Sequence, residues 1–131
     1  MSELLDFMDA GYHQIWREGR LEETLGALGE DFEWVVPDIP DEPVRRGPAA
    51  VIAFFRDWMD RFEGLDVEWE LEQAGPESAL AFIHMHGRGR ESGVPAEMRY
   101  AQLWTFDGLR PVRMVLYFDL DEARRAAGLA E

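Results

Sequence analysis

The chain predicts an α+β fold, a cone-shaped roll in which a bent antiparallel sheet wraps around N-terminal helices. Three observations carry this reading. Apolar residues recur at helical spacing in three segments before residue 65, and strict period-two alternation takes over after it. Tight-turn pairs, Gly75-Pro76 and Asp107-Gly108, together with Gly93 and Pro95, separate four successive strand-like segments. No helical segment intervenes between those strands, so they form an antiparallel meander with the helices gathered on one face. With 131 residues and no repeat or linker, the chain reads as one domain over residues 1–131.

Leu4, Leu5, Met8, Tyr12, Ile15 and Trp16 define the first helix, with Ser2 as N-cap and Gly19 as its stop. A second helix is expected over residues 21–28, burying Leu21, Leu25 and Leu28 and ending at Gly29. Phe32, Trp34 and Val36 then alternate as a strand up to Pro37. Pro37, Pro40, Pro43 and Pro48 mark residues 37–48 as a loop. Gly47-Pro48 opens a third helix, since proline at the first helical position forfeits no hydrogen bond. Its stripe is Val51, Phe54, Phe55, Trp58 and Phe62, and Gly64 is expected to end it.

From residue 65 to 72, Leu65, Val67, Trp69 and Leu71 alternate with Asp66, Glu68, Glu70 and Glu72, one buried face against one acidic face. Further strands are predicted over residues 79–88, 97–106 and 112–119, and a closing helix runs from near Leu120 to Gly128. Asp119, where strand meets helix, has the position of an N-cap.

The charge narrows the partners. With 27 acidic and 13 basic side chains, the formal charge of −14 repels phosphate backbones and anionic headgroups, so neither nucleic acid nor a membrane surface is expected. Cysteine is absent, which excludes disulfides and thiolate sites. The acidic start MSELLDFMDAG lacks the basic residues of a signal peptide, and the expectation is a cytoplasmic protein. Five Trp and eight Phe supply both core and the walls of a cavity for apolar ligands.

His84 and His86 stand two apart on a strand, so both imidazoles share a face and suit either chelation or proton transfer. His13 is the only other histidine and no HExxH spacing exists, so no metal site is expected. The Gly87–Gly93 run resembles a phosphate loop, but a strand follows it where a helix would be needed, and a hairpin connection is expected.

Alternation also groups Leu80, Phe82, His84 and His86 on one face, and Met98, Tyr100, Gln102, Trp104 and Phe106 on another. Met114, Leu116 and Phe118 form a third group. If the more apolar set of each strand faces the helices, His84 and Gln102 are the polar groups of an aromatic cavity that Tyr12 enters from the first helix. Its expected lining is Trp16, Trp34, Val36, Phe54, Trp58, Phe82, His86, Tyr100, Trp104, Met114, Leu116 and Phe118. The plainer alternative is that these aromatics are simply core.

The segments GRGRESGV, MRYAQLWTFDG and YFDLDEARRAAGL, with YHQIWREGRLEETLGALGEDFEWV and RGPAAVIAFF, resemble a SnoaL-like protein of the nuclear transport factor 2-like (cystatin-like) superfamily. The resemblance spans Tyr12 to Leu129 and implies a cone of bent sheet around a pocket, commonly a homodimer, without a cofactor. Set against ketosteroid isomerases, the pocket tyrosine falls on Tyr12 and the oxyanion-binding acid on Gln102. The general-base aspartate falls on Val36, so steroid enone isomerisation by that route has no base. Limonene epoxide hydrolases are similar at YFDL, but their water-activating aspartates fall on Leu116 and near His84.

Together these readings lead us to expect a small apolar ligand in the cone. Any catalysis would be cofactor-free acid/base isomerisation, cyclisation or hydration, with His84 moving the proton and Tyr12 and Gln102 polarising an oxygen. The alternative is a non-catalytic ligand-binding or dimerisation module.

Overall fold

Four helices and one curled six-stranded sheet make up the computed structural model, which describes residues 2–41 and 43–129. The helices are α1 (Glu3–Trp16), α2 (Leu21–Gly26), α3 (Gly47–Met59) and α4 (Leu120–Ala126). The strands are β1 (Glu33–Val35), β2 (Val44–Arg46), β3 (Phe62–Gly75), β4 (Ser78–Gly89), β5 (Pro95–Asp107) and β6 (Arg110–Tyr117). Their order across the sheet is β2-β1-β6-β5-β4-β3. The α+β architecture and the meander of four long strands stand as expected.

Local chemistry sets most of the boundaries. The Ser2 hydroxyl caps α1 by accepting from the Leu5 amide at 3.0 Å. The Asp119 carboxylate caps α4 by accepting from the Asp121 and Glu122 amides at 3.0 and 3.1 Å. Gly108 takes a positive φ of 63° in the two-residue turn between β5 and β6, where a side chain would be strained. Gly87 faces the shift in register between β3 and β4, and a Cβ there would lie 3.0 Å from the Glu63 carbonyl.

Three differences from the sequence reading matter. Residues 44–46, inside the proline-rich stretch expected as loop, form β2 and pair antiparallel with β1. Three mostly exposed residues carry too short a pattern to register as a strand. β1 in turn pairs parallel with β6, so the sheet is mixed, not wholly antiparallel. The helix expected over residues 21–28 stops at Gly26, and Phe62 begins β3 where it was expected to close the third helix.

The core is divided. Leu4, Met8 and Tyr12 of α1 pack on Val67, Ile83, Met85, Tyr100 and Phe106 on the concave side of the sheet. Leu25, Leu28, Phe32, Trp34, Val36, Val51, Phe55 and Met114 form a second cluster where α2 and α3 close the cone. A third cluster, Leu80, Ala101 and Ala123 with Phe82, Leu103, Tyr117 and Leu120 around it, lies on the opposite side of the sheet beneath α4. None of the described helices is long and apolar enough to cross a membrane.

Candidate functional site

Inside the cone lies a partly open cavity of about 290 Å³. Its walls come from α1 (Phe7, Met8, Tyr12, Ile15, Trp16), from α2 and the residues after it (Thr24, Leu25, Leu28), and from Trp34 and Phe55. The concave side of the sheet supplies Ile83, Tyr100, Gln102, Trp104 and Phe106. At a liquid-water share of about 30 Å³ per molecule, the space equals roughly ten waters. That is near the lower end for small-molecule sites.

At its inner wall three polar side chains form a relay. The Trp104 indole N–H donates to the Tyr12 hydroxyl at 2.9 Å, and that hydroxyl donates to Gln102 Oε1 at 2.5 Å. Tyr12 and Gln102 are 8% and 5% exposed, so each group needs a protein partner. The indole N–H can only donate, so Tyr12 accepts there, and its own proton goes to the carboxamide oxygen. Burial pushes the Tyr12 phenol well above its ordinary range, only partly offset by the Trp104 bond. Tyr12 is positioned by stacking on Trp69, centroids 5.7 Å apart, and the Trp69 indole N–H donates to Asp9 at 2.8 Å. Arg17 lies 4.8 Å over the Trp69 ring and donates to the Val67 carbonyl at 2.6 Å.

Tyr100 stands two residues before Gln102 on β5 and lines the same wall. Burial raises its phenol above the ordinary range too. The Trp34 indole is boxed by Phe54, Phe55 and Trp104. Its N–H, closed off from solvent, meets no hydrogen-bond acceptor among the described residues. Among the described residues, Glu23 is the one carboxylate on the lining. It is exposed at the rim and bridged to Arg20 at 2.7 Å, and that hydrogen bond holds it below the usual carboxylate range.

The expectation that His84 faces the cavity is corrected. On β4 the concave set is Ala79, Ala81, Ile83 and Met85, while Leu80, Phe82, His84 and His86 face the other way. The rule that the more apolar set faces the main helices fails here because α4 gives the convex face a core of its own. His84 Nε2 is hydrogen-bonded to Glu97, and its Nδ1 lies 3.7 Å from Glu68. His86 Nε2 lies 3.4 Å from Asp66. The two imidazoles stack 5.1 Å apart within 3° of parallel, so their in-plane lone pairs do not converge on one ion. No cluster of three potential metal ligands occurs among the described residues.

The other expected lining residues divide. Trp16, Trp34, Tyr100 and Trp104, with Tyr12 and Gln102, do line the cavity. Val36 and Met114 are buried in the core behind its wall, and Leu116 packs between the two concave clusters. Phe54 carries the Arg45 guanidinium 4.2 Å over its ring, and Trp58 pairs with Phe62. Phe82 faces α4, and Phe118, beyond the end of β6, is 52% exposed. The sequence reading missed Phe7, Met8, Ile15, Leu25, Phe55, Ile83 and Phe106 as lining. Their helical or strand spacing marked most of them only as apolar, a signal that core and cavity wall share.

The His84 contact has a consequence in acid. The hydrogen bond from His84 holds the Glu97 carboxyl below the usual range. A depressed folded-state value means that the contact stabilises above the ordinary carboxylate range and is lost as pH falls through the lowered value. In an NMR titration, Glu97 is expected to have a depressed midpoint that His84→Ala moves toward the ordinary value, with Arg99 and His86 keeping part of the depression.

The fold agrees with the comparisons to known proteins. The family model of the SnoaL-like domain matches residues 10–114, and the chain belongs to that family. No curated protein matches it. Among solved structures, an NTF2-like protein of unknown function from Burkholderia pseudomallei is 23% identical, with 95% of this chain and 97% of that chain covered and a TM-score of 0.75. TerC, co-crystallised with polyporic acid, is 19% identical over 97% and 99% of the two chains, at a TM-score of 0.73. A protein of ketosteroid isomerase-like fold from Catenulispora acidiphila, in complex with trimethylamine, is 13% identical over 98% and 95%, at 0.71. At these identities the likeness is one of fold.

Proposed function

We propose that the cone of this SnoaL-like domain binds a small, largely apolar molecule. The observation that carries the reading is the cavity of about 290 Å³, walled by indole, phenyl and aliphatic groups with a short polar relay at one wall. A cone closed by its own aromatics, as a purely dimerising module would have, leaves no such space. TerC, with polyporic acid, offers a precedent for a ligand in a protein of this fold.

Binding is favoured over proton transfer by what faces inward. The ionisable side chains on the described lining are Tyr12, Tyr100 and Glu23. Burial keeps both phenols protonated, and Arg20 makes Glu23 a weaker base than an ordinary carboxylate. A proton-moving role for His84 is withdrawn with its position.

Gly11 gives the test. It lines the cavity from α1, and a Cβ there would meet nothing nearer than the Thr24 methyl at 4.0 Å. Gly11→Leu is therefore expected to fold and to occupy ligand space, whereas Gly11→Ala leaves the cavity open. Naphthalene should shift the Trp104 indole signal in NMR titrations of the wild type and Gly11→Ala, with affinity reduced about tenfold or more in Gly11→Leu. Equal titration of all three proteins, or none, would refute the reading.

A further inference from the structure

Where the cavity opens is fixed by which of its lining residues reach solvent. Of the described lining residues four are exposed: Phe7 and Ala10 on α1, Glu23 on α2, and Ala27 at the C-cap of α2. No sheet residue on the lining is exposed. The mouth therefore lies along the seam between α1 and α2. Small groups border it: a Cβ at Gly11 of α1 would meet only the Thr24 methyl of α2, at 4.0 Å.

The two sides of the seam are held differently. α1 is tied to the sheet, where Trp69 donates to Asp9 at 2.8 Å, Arg17 donates to the Val67 carbonyl at 2.6 Å, and Tyr12 sits in the relay. α2 has six residues, no side-chain cap at its N-terminus and one buried residue, Leu25. Its ion pair to α3, Glu22 with Arg56 at 2.8 Å, joins two exposed side chains and contributes little. Among the described residues, one side-chain hydrogen bond crosses the seam, from the Thr24 hydroxyl to Gln14 Oε1 at 2.9 Å.

That bond has a built-in alternative. The Thr24 hydroxyl also lies 2.8 Å from the Arg20 carbonyl, one turn back along its own helix. A hydroxyl carries one proton, so it serves one acceptor fully at a time. When it turns to Arg20, the back-bonding that threonine adopts within helices, Gln14 is released and no donor is left unpaired. Gln14 is only half-buried, so its freed carboxamide meets water at the mouth. Opening thus exchanges one hydrogen bond for another.

We propose that the α1–α2 seam is the doorway of the cavity and that Gln14 and Thr24 form its latch. The latch is shut when the hydroxyl donates across the seam and open when it donates to Arg20. The proposal rests on the reading of the cone as a binding cavity and adds how a ligand enters and leaves it. A latch lowers the population of the open form whether the cavity is empty or filled, so it slows entry and exit alike. A residue that only touches the ligand acts mainly on exit.

The test takes association and dissociation rates of naphthalene from the line shape of the Trp104 indole signal across an NMR titration. Thr24→Val keeps the side-chain shape and removes the hydroxyl. It is expected to raise both rates about three- to tenfold, as loss of one net hydrogen bond implies. Gln14→Leu should do the same, and the double variant should be no faster than either, since each removes the same bond. Thr24→Ser, which retains the hydroxyl, should lie closer to the wild type than Thr24→Val does. Ala10→Trp, at the exposed lip, should slow both rates. Wild-type association rates in Thr24→Val and Gln14→Leu, or additive gains in the double variant, would overturn the latch while the binding reading stands. Unslowed exchange in Ala10→Trp would overturn the doorway. Absence of naphthalene binding to the wild type would remove both readings.

Discussion

Leu80→Ala is expected to destabilise the protein by about 2–5 kcal/mol, although Leu80 faces away from the cone. Leu80 has no exposed surface and packs with Ala101 of β5 and Ala123 of α4, ringed by Phe82, Leu103 and Leu120. Truncation leaves a void that α4 fills poorly, because its seven residues are capped at Asp119 and end at Ala126. Urea unfolding would show the midpoint falling with the m-value unchanged. His84→Ala, four residues on along the same face but beyond α4, is expected to cost less, about 1 kcal/mol, because it removes a hydrogen bond to Glu97 and a stack on His86 but no core packing. Equal, small effects at both positions would mean that the convex face carries no core.

Tyr12→Phe is the second large effect. The phenol contributes little through its ring that phenylalanine would not keep, including the stack on Trp69. What it loses is the hydroxyl through which Trp104 Nε1 and Gln102 Oε1 are both satisfied. Each buried group left without a partner costs about 1–3 kcal/mol. The loss should appear in chemical denaturation together with an upfield movement of the Trp104 indole proton in NMR. A neutral effect on stability would show that the relay is not what holds these three side chains. Tyr12 is thus a residue of the cavity's frame: its proton is committed within the protein.

Much of the frame was legible from residue spacing. The alternation of Leu65, Val67, Trp69 and Leu71 against four acidic residues is the pattern of a strand with one wet face, and β3 has it. On β5, the set Tyr100, Gln102, Trp104 and Phe106 was assigned to the concave side correctly, because its partner face, Arg99, Ala101, Leu103 and Thr105, was visibly less aromatic. β4 defeated the same reasoning. Ala79, Ala81, Ile83 and Met85 compete with Leu80, Phe82, His84 and His86, and neither set is the plainly polar one. A strand buried on both sides for part of its length has no hydrophobic alternation to read.

Local chemistry, then, was enough to place the helices, the caps at Ser2 and Asp119, the hairpins at Gly75-Pro76 and Asp107-Gly108, and the α+β class. These depend on dihedral preference and on hydrogen bonds between residues a few positions apart. Long-range packing settled which side of β4 meets the cavity, the parallel docking of β1 on β6, and the pairing of Tyr12 with Gln102 across 90 residues of chain. Each of those turns on where a distant element, above all α4 on the convex face, removes surface from water, and no window of neighbouring residues records that.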